Sequence, residues 1–234
     1  MTDYPIRKIN YGYKYETHMH TSEVSACAIS SAHQQVETYK MMGYTGIIIT
    51  DHFVNGYSTC PRKLDWEKKM QHIVSGYLKA KKAGDKHGLD VFLGWEYTIS
   101  GLDFLTYGLD LEFMIAHPNF DRLGIEDYSA LVRKNGGYLA QAHPYRKAWY
   151  LENSSPVSPH LIDGVEVYNI QDDYYSNEEA LTFAKKHDLP IQGGTDSHRT
   201  YGHGYSGIKL SKRAESIHDI INEIKAKNVE IIYE

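Results

Sequence analysis

Apolar and polar positions follow two periods along this chain. The run Gly46-Ile47-Ile48-Ile49, followed by Thr50-Asp51-His52, is β-branched and too short for a helix. It predicts a strand buried on both faces and tipped by polar residues. Ahead of it, residues 33–43 carry apolar side chains at helical spacing and close on Gly43, a C-terminal cap. Farther upstream, Tyr11, Tyr13 and Tyr15 alternate into Thr17-His18-Met19-His20-Thr21, which predicts an extended first strand. Ser22 to Ala32 is small and polar, a loop. Strand, helix and strand at this spacing make a βαβ unit.

The pattern recurs. A helical stretch from about Trp66 to His87 leads to a strand at Val91–Glu96, and Phe104–Gly108 predicts another before a loop with His117-Pro118. Ile125–Lys134 reads as a helix stopped by Gly136-Gly137, and Tyr138–His143 and Gly164–Asn169 read as strands. Ser176-Asn177-Glu178-Glu179 has capping-box spacing and opens a helix running to about His187. Pro190–Gly194 is the seventh strand, Ser206–Leu210 is extended, and a helix over Glu215–Lys227 precedes a last strand, Val229–Tyr233. Asn153 to Pro159, rich in Ser and Pro, is a short surface loop, and no linker or low-complexity tract interrupts the series.

Two architectures fit such alternation. A doubly wound sheet gathers its ligand at one switch point, usually with a glycine-rich phosphate turn after the first strand; here the first strand ends in His-x-His. A barrel presents functional residues at the C-terminal ends of many strands. That is where His18, His20, Asp51, His52, Glu96, His143, Asp196 and His198 fall. The expected fold is therefore α/β, a barrel of parallel strands, complete or slightly irregular, forming one domain over residues 1–234.

Composition narrows the setting. A length of 234 residues is enough for a substantial core, and a net charge of -5 offers no extended surface for nucleic acid. Bound cations would still let an acidic protein take an anionic substrate. Cys27 and Cys60 are too few for a disulfide framework, and no segment approaches the roughly 20 apolar residues of a membrane span. The N-terminal MTDYPIRKIN lacks an apolar targeting core. A cytoplasmic protein without a membrane partner is expected.

The strand ends carry the chemistry. His18 and His20, two apart on a strand, offer imidazoles to one side, and Gly193-Gly194-Thr195-Asp196-Ser197-His198 repeats the device with a carboxylate and an imidazole. One divalent ion takes about four to six donors, so this larger set implies two or three ions sharing a carboxylate. Mixed nitrogen and oxygen donors suit Mn, Fe or Zn, and the lack of Cys in the set argues against a structural zinc site. Clustered ions activate water and clamp attacking and leaving oxygens in an in-line displacement. Hydrolysis of a phosphate ester, by a metal-bound hydroxide on a small phosphorylated substrate, is the expected reaction.

The motifs His18-Met19-His20-Thr21, Thr50-Asp51-His52, Gly94-Trp95-Glu96, Ala142-His143-Pro144 and Thr195-Asp196-Ser197-His198, in this order over nearly the whole chain, resemble those of the PHP superfamily, named for polymerase and histidinol phosphatase. The resemblance implies a distorted (β/α)7 TIM-like barrel with a trinuclear metal centre and phosphoesterase activity. It implies His18, His20, His52, Glu96, His143, Asp196 and His198 as ligands, with Glu96 bridging two ions. Two family ligands lack an obvious counterpart. After the first motif, where an Asp or His is usual, Glu23 is the candidate. Ahead of the fourth strand, where a His is usual, Asp103 is the candidate.

Arg146 and Arg199, each close to a ligand, are the candidates for gripping a phosphate oxygen. His117 and His203 fall in loops and are read as lid or surface residues able to protonate a leaving group. Glu166 either lines the cavity or orients a ligand histidine. The 20 tyrosines are mainly packing residues. Two rival readings remain. One is an amidohydrolase-like barrel, against which no lysine is placed at a middle strand end. The other is a metal-binding accessory module without turnover.

Overall fold

The computed structural model describes residues 12–148 and 154–233. Tyr11, the N-terminal segment and Asn153, all used above, lie outside them. Alternation in the first segment gives β1 (Tyr13–Glu16), and Ser31 caps α1 (Ala32–Met41) through a reciprocal box with Gln34. The isoleucine run forms β2 (Gly46–Ile49), buried at all four positions as its two-faced pattern requires. The long helical stretch is two helices, α2 (Trp66–Ile73) and α3 (Ser75–His87), separated at Val74. The start of α3 passes so close to the first loop that a Cβ on Gly76 would lie 2.3 Å from both Asp51 Oδ2 and Thr21 Oγ1. Only glycine permits that approach.

Next come β3 (Asp90–Ile99) and β4 (Leu102–Tyr107), which is antiparallel to β3 rather than parallel. Ser100 and Gly101, both at positive φ, make the two-residue turn that reverses the chain. This departs from the all-parallel expectation and matters for the site: reversal puts the beginning of β4, with Asp103 opposite Thr98, beside the end of β3. Helix α4 (Leu111–Ala116), not anticipated, leads to α5 (Ile125–Lys134) and β5 (Tyr138–Gln141). β6 (Gly164–Asn169) follows. Helix α6 (Tyr174–Lys186) starts earlier than the Ser176 box predicted. Asp173 caps it by accepting from Ser176 N, while Asn177 is engaged with the Asn169 backbone. The chain ends with β7 (Ile191–Gly194), β8 (Ser206–Leu210), α7 (Ile217–Lys225) and β9 (Glu230–Tyr233).

The strands form one sheet in the order β7-β6-β5-β4-β3-β2-β1-β8-β9, which curls into a nearly closed barrel. Closure is made at the ligand end, where Met19 and Ser197 form a parallel bridge, with His20 N donating to Ser197 O at 2.9 Å and Ser197 N to His18 O at 3.3 Å. The antiparallel β8–β9 hairpin extends from β1. Several tyrosines are core residues with satisfied hydroxyls, while others, such as Tyr57 and Tyr201, lie at the surface. Tyr97 stacks on Tyr128 at 3.7 Å, Trp95 donates to the Tyr128 hydroxyl at 2.8 Å, and Tyr107 donates to Thr17 O at 2.7 Å.

A buried carboxylate reinforces the closure. Glu16 Oε1 accepts from His18 N at 2.8 Å and Thr195 N at 2.9 Å, and Oε2 accepts from the hydroxyls of Tyr39 and Thr195. Burial nevertheless pushes its pKa up to about 7. Because the folded value lies above that of an unfolded carboxyl, the group's share of stability is complete at acidic pH and is lost as pH rises through about 7. Glu16→Gln would turn an NH2 toward one pair of donors, and we expect a loss of about 1–3 kcal/mol in denaturant unfolding. The same variant should flatten the pH dependence of stability below neutrality.

Candidate metal centre

The extended segment after β1 is pinned to the end of β2. Met19 N donates to Thr50 Oγ1 at 2.8 Å, and Thr50 N donates to Met19 O at 2.8 Å. This register turns His18 and His20 to the same side. A hub beneath them holds the first loop: Asp51 accepts from Thr21 N, Thr21 Oγ1 and Ser25 Oγ at 2.6 to 2.7 Å. The Ser25 hydroxyl in turn accepts from His52 N at 3.1 Å and meets His20 Nδ1 at 3.0 Å. On the other flank, Glu166 Oε1 meets His18 Nδ1 at 3.0 Å, while Oε2 accepts from His143 N and Asn169 Nδ2. With each Nδ1 engaged outward, the Nε2 lone pairs of His18 and His20 face the centre of the rim. Gly194 makes room for this arrangement: a Cβ there would meet Glu166 Oε1 at 2.4 Å and His18 Cβ at 2.6 Å.

Glu96 stands in the middle. Its Oε1 lies 3.2 Å from His18 Nε2 and 3.4 Å from His143 Nε2. Its Oε2 lies 2.7 Å from His52 Nδ1 and 3.5 Å from His20 Nε2. Asp196 Oδ1 closes the gap between the first two histidines, at 3.4 Å from His18 Nε2 and 3.2 Å from His20 Nε2. His198 stacks on His20 with centroids 4.2 Å apart and fixes its own Nδ1 on Asp196 O at 2.9 Å. His143 and Asp196 sit at φ 28° and 52°, where non-glycine residues are uncommon.

The electrostatics are those of a cation site. Burial lowers the His18 pKa, but Asp196, Glu166 and Glu96 outweigh it and hold the imidazole well above its ordinary range. His20 is pushed well below that range by burial and by its neighbours His198 and His52. Burial raises Glu96 and Asp196, yet the facing histidines, and Arg146 for Asp196, hold both carboxyls well below normal. Two buried atoms, Glu96 Oε2 and His52 Nδ1, stand 2.7 Å apart without making a hydrogen bond. A shared cation is the partner that such converging donors suit. Four sets of donors at the rim lie mutually within 4.8 Å: His20/His52/His198, His18/His20/Glu96, Glu96/Asp103/His143, and His18/His143/Glu166. The residues therefore fit divalent metal ions.

The structure brings together His18, His20, His52, Glu96, His143, Asp196 and His198, and adds Asp103. Asp103 Oδ2 lies 4.0 Å from His143 Nε2 through the reversal of β4. It does not bring in Glu23. That side chain turns to the start of α1, accepting from Ala32 N at 2.9 Å and facing Lys79 at 3.7 Å. The loop instead places Cys27 in the wall of the cavity beside the rim, together with His198. Burial raises the thiol, but the imidazoles of His198 and His52 outweigh it and bring it to about 7. Among the described residues the donor groups contain no cysteine, and sequence spacing offered no signal for which loop residue would face the cavity. Asp51 is a structural hub, with burial raising its carboxyl to about 6. Glu166 is the orienting carboxylate, not a cavity wall.

A cavity of about 530 Å³ opens beside the cluster, lined by Cys27, Arg146, Asp172, Asp196, His198 and Arg199 among others. Arg146 is mostly buried, with Nε on Asp172 at 2.5 Å and Nη1 on Asp196 at 2.6 Å, and its Nη2 has no partner. Arg199 is exposed at the mouth, over the Tyr201 ring at 5.9 Å. His203 also borders the cavity, with its ring nitrogens facing the carbonyls of Gly204 and Arg199. His117 caps the end of α4 on Phe113 O at 2.8 Å. Away from the rim, His33, Glu37 and His87 group on the outer surface of α1 and α3.

A family model described as PHP-associated matches residues 175–229. No curated protein matches the sequence. Among solved structures, a protein from Bifidobacterium adolescentis provisionally named a metal-dependent phosphoesterase superimposes with a TM-score of 0.59 at 16% identity, covering 93% of this chain and 97% of that one. A two-domain Bacteroides vulgatus protein containing a predicted PHP-like metal-dependent phosphoesterase gives 0.65 at 15% identity, covering 95% of this chain and 65% of that one. An amidohydrolase from Chromobacterium violaceum, with sulfate and no metal bound, gives 0.56 at 12% identity, covering 94% and 97%. At these identities the likeness is one of fold.

Removing the orienting carboxylate should weaken the site without dismantling it. We expect Glu166→Gln to cost about 10–100-fold in divalent-metal affinity, measured by calorimetric titration. Glu23→Gln should leave that affinity unchanged.

Proposed function

We infer that this chain, whose ordered motifs, barrel and C-terminal match support membership of the PHP superfamily, is a metal-dependent phosphoesterase acting on a small phosphorylated compound. The observation that carries this reading is the pairing of a buried nitrogen and oxygen cluster with a guanidinium that keeps one donor free. Arg146, in the cavity wall beside Asp196, is fixed through Nε and Nη1, and its Nη2 is buried with no hydrogen-bond partner. Held that way, it loses little entropy on gripping a phosphoryl oxygen. Arg199 at the mouth supplies a second positive charge along the approach. A cavity of about 530 Å³ suits a small molecule rather than a polymer.

Divalent ions held by His18, His20, His52, Glu96, Asp103, His143, Asp196 and His198 would supply Lewis acidity and a water activated for in-line attack. Mn, Fe or Zn fit the donor types. The protein's own part is geometric. Glu166 and Ser25 fix the imidazole orientations, and Arg146 sets the phosphoryl group against the rim. The alternative, an amidohydrolase-type hydrolysis, has the likeness to the Chromobacterium violaceum protein in its favour. Against it, among the described residues no lysine pairs with Glu96 or Asp196, whose partners are His and Arg.

Phosphate release from p-nitrophenyl phosphate, assayed with Mn, Fe, Zn and Co in turn and beside amide and lactone substrates, tests the reading. Phosphoesterase turnover with at least one metal is expected; none with any of the four rejects it. His20→Ala and Asp196→Ala should abolish turnover while circular dichroism shows the fold intact. Arg146→Ala should lower kcat/KM by about 10²–10³-fold.

A further inference from the structure

A second convergence of imidazole and carboxylate lies away from the rim, where α1 packs on α3. The two helices share an apolar seam, with Ala32, Val36 and Tyr39 of α1 and Ala80 and Ala83 of α3 in one buried cluster. At the outer edge of that seam His33 and Glu37, one turn apart on α1, meet His87, the last residue of α3. Glu37 Oε2 lies 3.3 Å from His33 Nδ1, and its Oε1 lies 3.8 Å from His87 Nε2. The two imidazoles stand nearly perpendicular, at 85°, with centroids 5.5 Å apart, and one donor atom from each of the three residues lies within 4.8 Å of the other two. A tetrahedral ion with bonds of about 2.0–2.1 Å spaces its ligands about 3.4 Å apart, so the carboxylate already stands close to that spacing from both rings.

These donors are not committed elsewhere. His87 Nε2 is buried and has no hydrogen-bond partner, a state that buried polar atoms seldom hold. Among the described residues Glu37 pairs with no lysine or arginine; its ion-pair contacts are the two imidazoles. Lys40, on the next turn of α1, donates instead to Gly88 O at 2.6 Å. A helix-surface pair of His33 with Glu37 would account for two of the three residues. It gives no reason for an unpartnered imidazole nitrogen to arrive from a second helix.

We propose that His33, Glu37 and His87 form a second divalent-cation site, separate from the rim, that takes Zn²⁺ and clips α1 to α3. Two imidazoles and a carboxylate are donors that zinc accepts, with water in the fourth position. Both helices back the first motif. Gln35 of α1 donates to His20 O and Ser197 O, and Gly76 at the start of α3 lies against Asp51 and Thr21. A cation joining the helices therefore braces the support of the rim, and it stabilises the folded chain by binding to it alone. The site depends neither on ions at the rim nor on the reaction assigned to it.

Zinc counting and thermal unfolding on the chelator-stripped full chain test the proposal. The proteins compared are the wild type, His33→Ala, Glu37→Gln, His87→Ala and the exposed control His160→Ala. At free Zn²⁺ that saturates the wild type, equilibrium dialysis should show one Zn²⁺ fewer per chain in each of the first three variants and no loss in His160→Ala. The rise in Tm caused by Zn²⁺ should be smaller in the same three variants. The rise caused by Mn²⁺, which nitrogen donors hold less tightly, should be the same in all five proteins. Equal zinc counts in the wild type and the three variants, a loss shared by His160→Ala, or a zinc-induced rise in Tm that is the same in all five overturns the proposal. Loss of one Zn²⁺ from the three variants of a protein without phosphoesterase turnover supports this site while rejecting the reaction, so the two fail separately.

Discussion

The contact between the segment carrying His18 and His20 and the segment carrying Asp196 and His198 is the constraint on which the remaining architecture depends. It consists of few atoms: a parallel bridge from Met19 to Ser197, its backbone hydrogen bonds, and Glu16 accepting three donors from the two segments and one from Tyr39 of α1. Without it, the extended segments after β1 and β7 would part, and the donors at the two ends of the chain would have no common centre. With it, every other strand end between them is carried onto the same arc. Gln35 of α1 adds a cross-tie, donating to His20 O at 3.0 Å and to Ser197 O at 3.1 Å.

Bringing so many ionisable groups out of water is costly unless each is compensated. Compensation here is divided by side. Facing outward, Glu166, Ser25 and the Asp196 carbonyl engage the far nitrogens of His18, His20 and His198. Facing inward, Glu96 and Asp196 lie against imidazoles whose lone pairs have been left free. His18, His20 and His198 are therefore each oriented by one group and faced by a carboxylate, the division of labour that suits a metal site. His143 and Asp196 hold backbone conformations that non-glycine residues seldom adopt, which keeps their side chains turned toward the centre.

The first loop shows how tertiary contacts choose between chemically plausible neighbours. Glu23 and Cys27 are four residues apart, and the carboxylate is the more obvious ligand by type. Glu23 satisfies the free amide of Ala32 at the beginning of α1, a role that a negative charge at a helix N-terminus performs well. The hub of Asp51 and Ser25 then turns the chain so that Cys27, not Glu23, reaches the cavity. Similarly, Asp103 reaches the rim only because two left-handed residues reverse the chain before it.

Periodicity and order alone determined much of this protein: the alternating helices and strands, the helix over Ile125–Lys134 to the residue, and the strand ends that carry His18, His20, His52, Glu96, His143, Asp196 and His198. These are legible because a buried strand must be apolar along its length, so the polar residues that follow it stand out against that background. Tertiary structure decided what depends on direction rather than spacing. It set the antiparallel course of β4, the break at Val74, the cap at Asp173, and the choice of Cys27 over Glu23. In each case the outcome follows from a few hydrogen bonds between residues distant in the chain or from the sign of a backbone angle. Neither quantity leaves a periodic trace in the order of the residues.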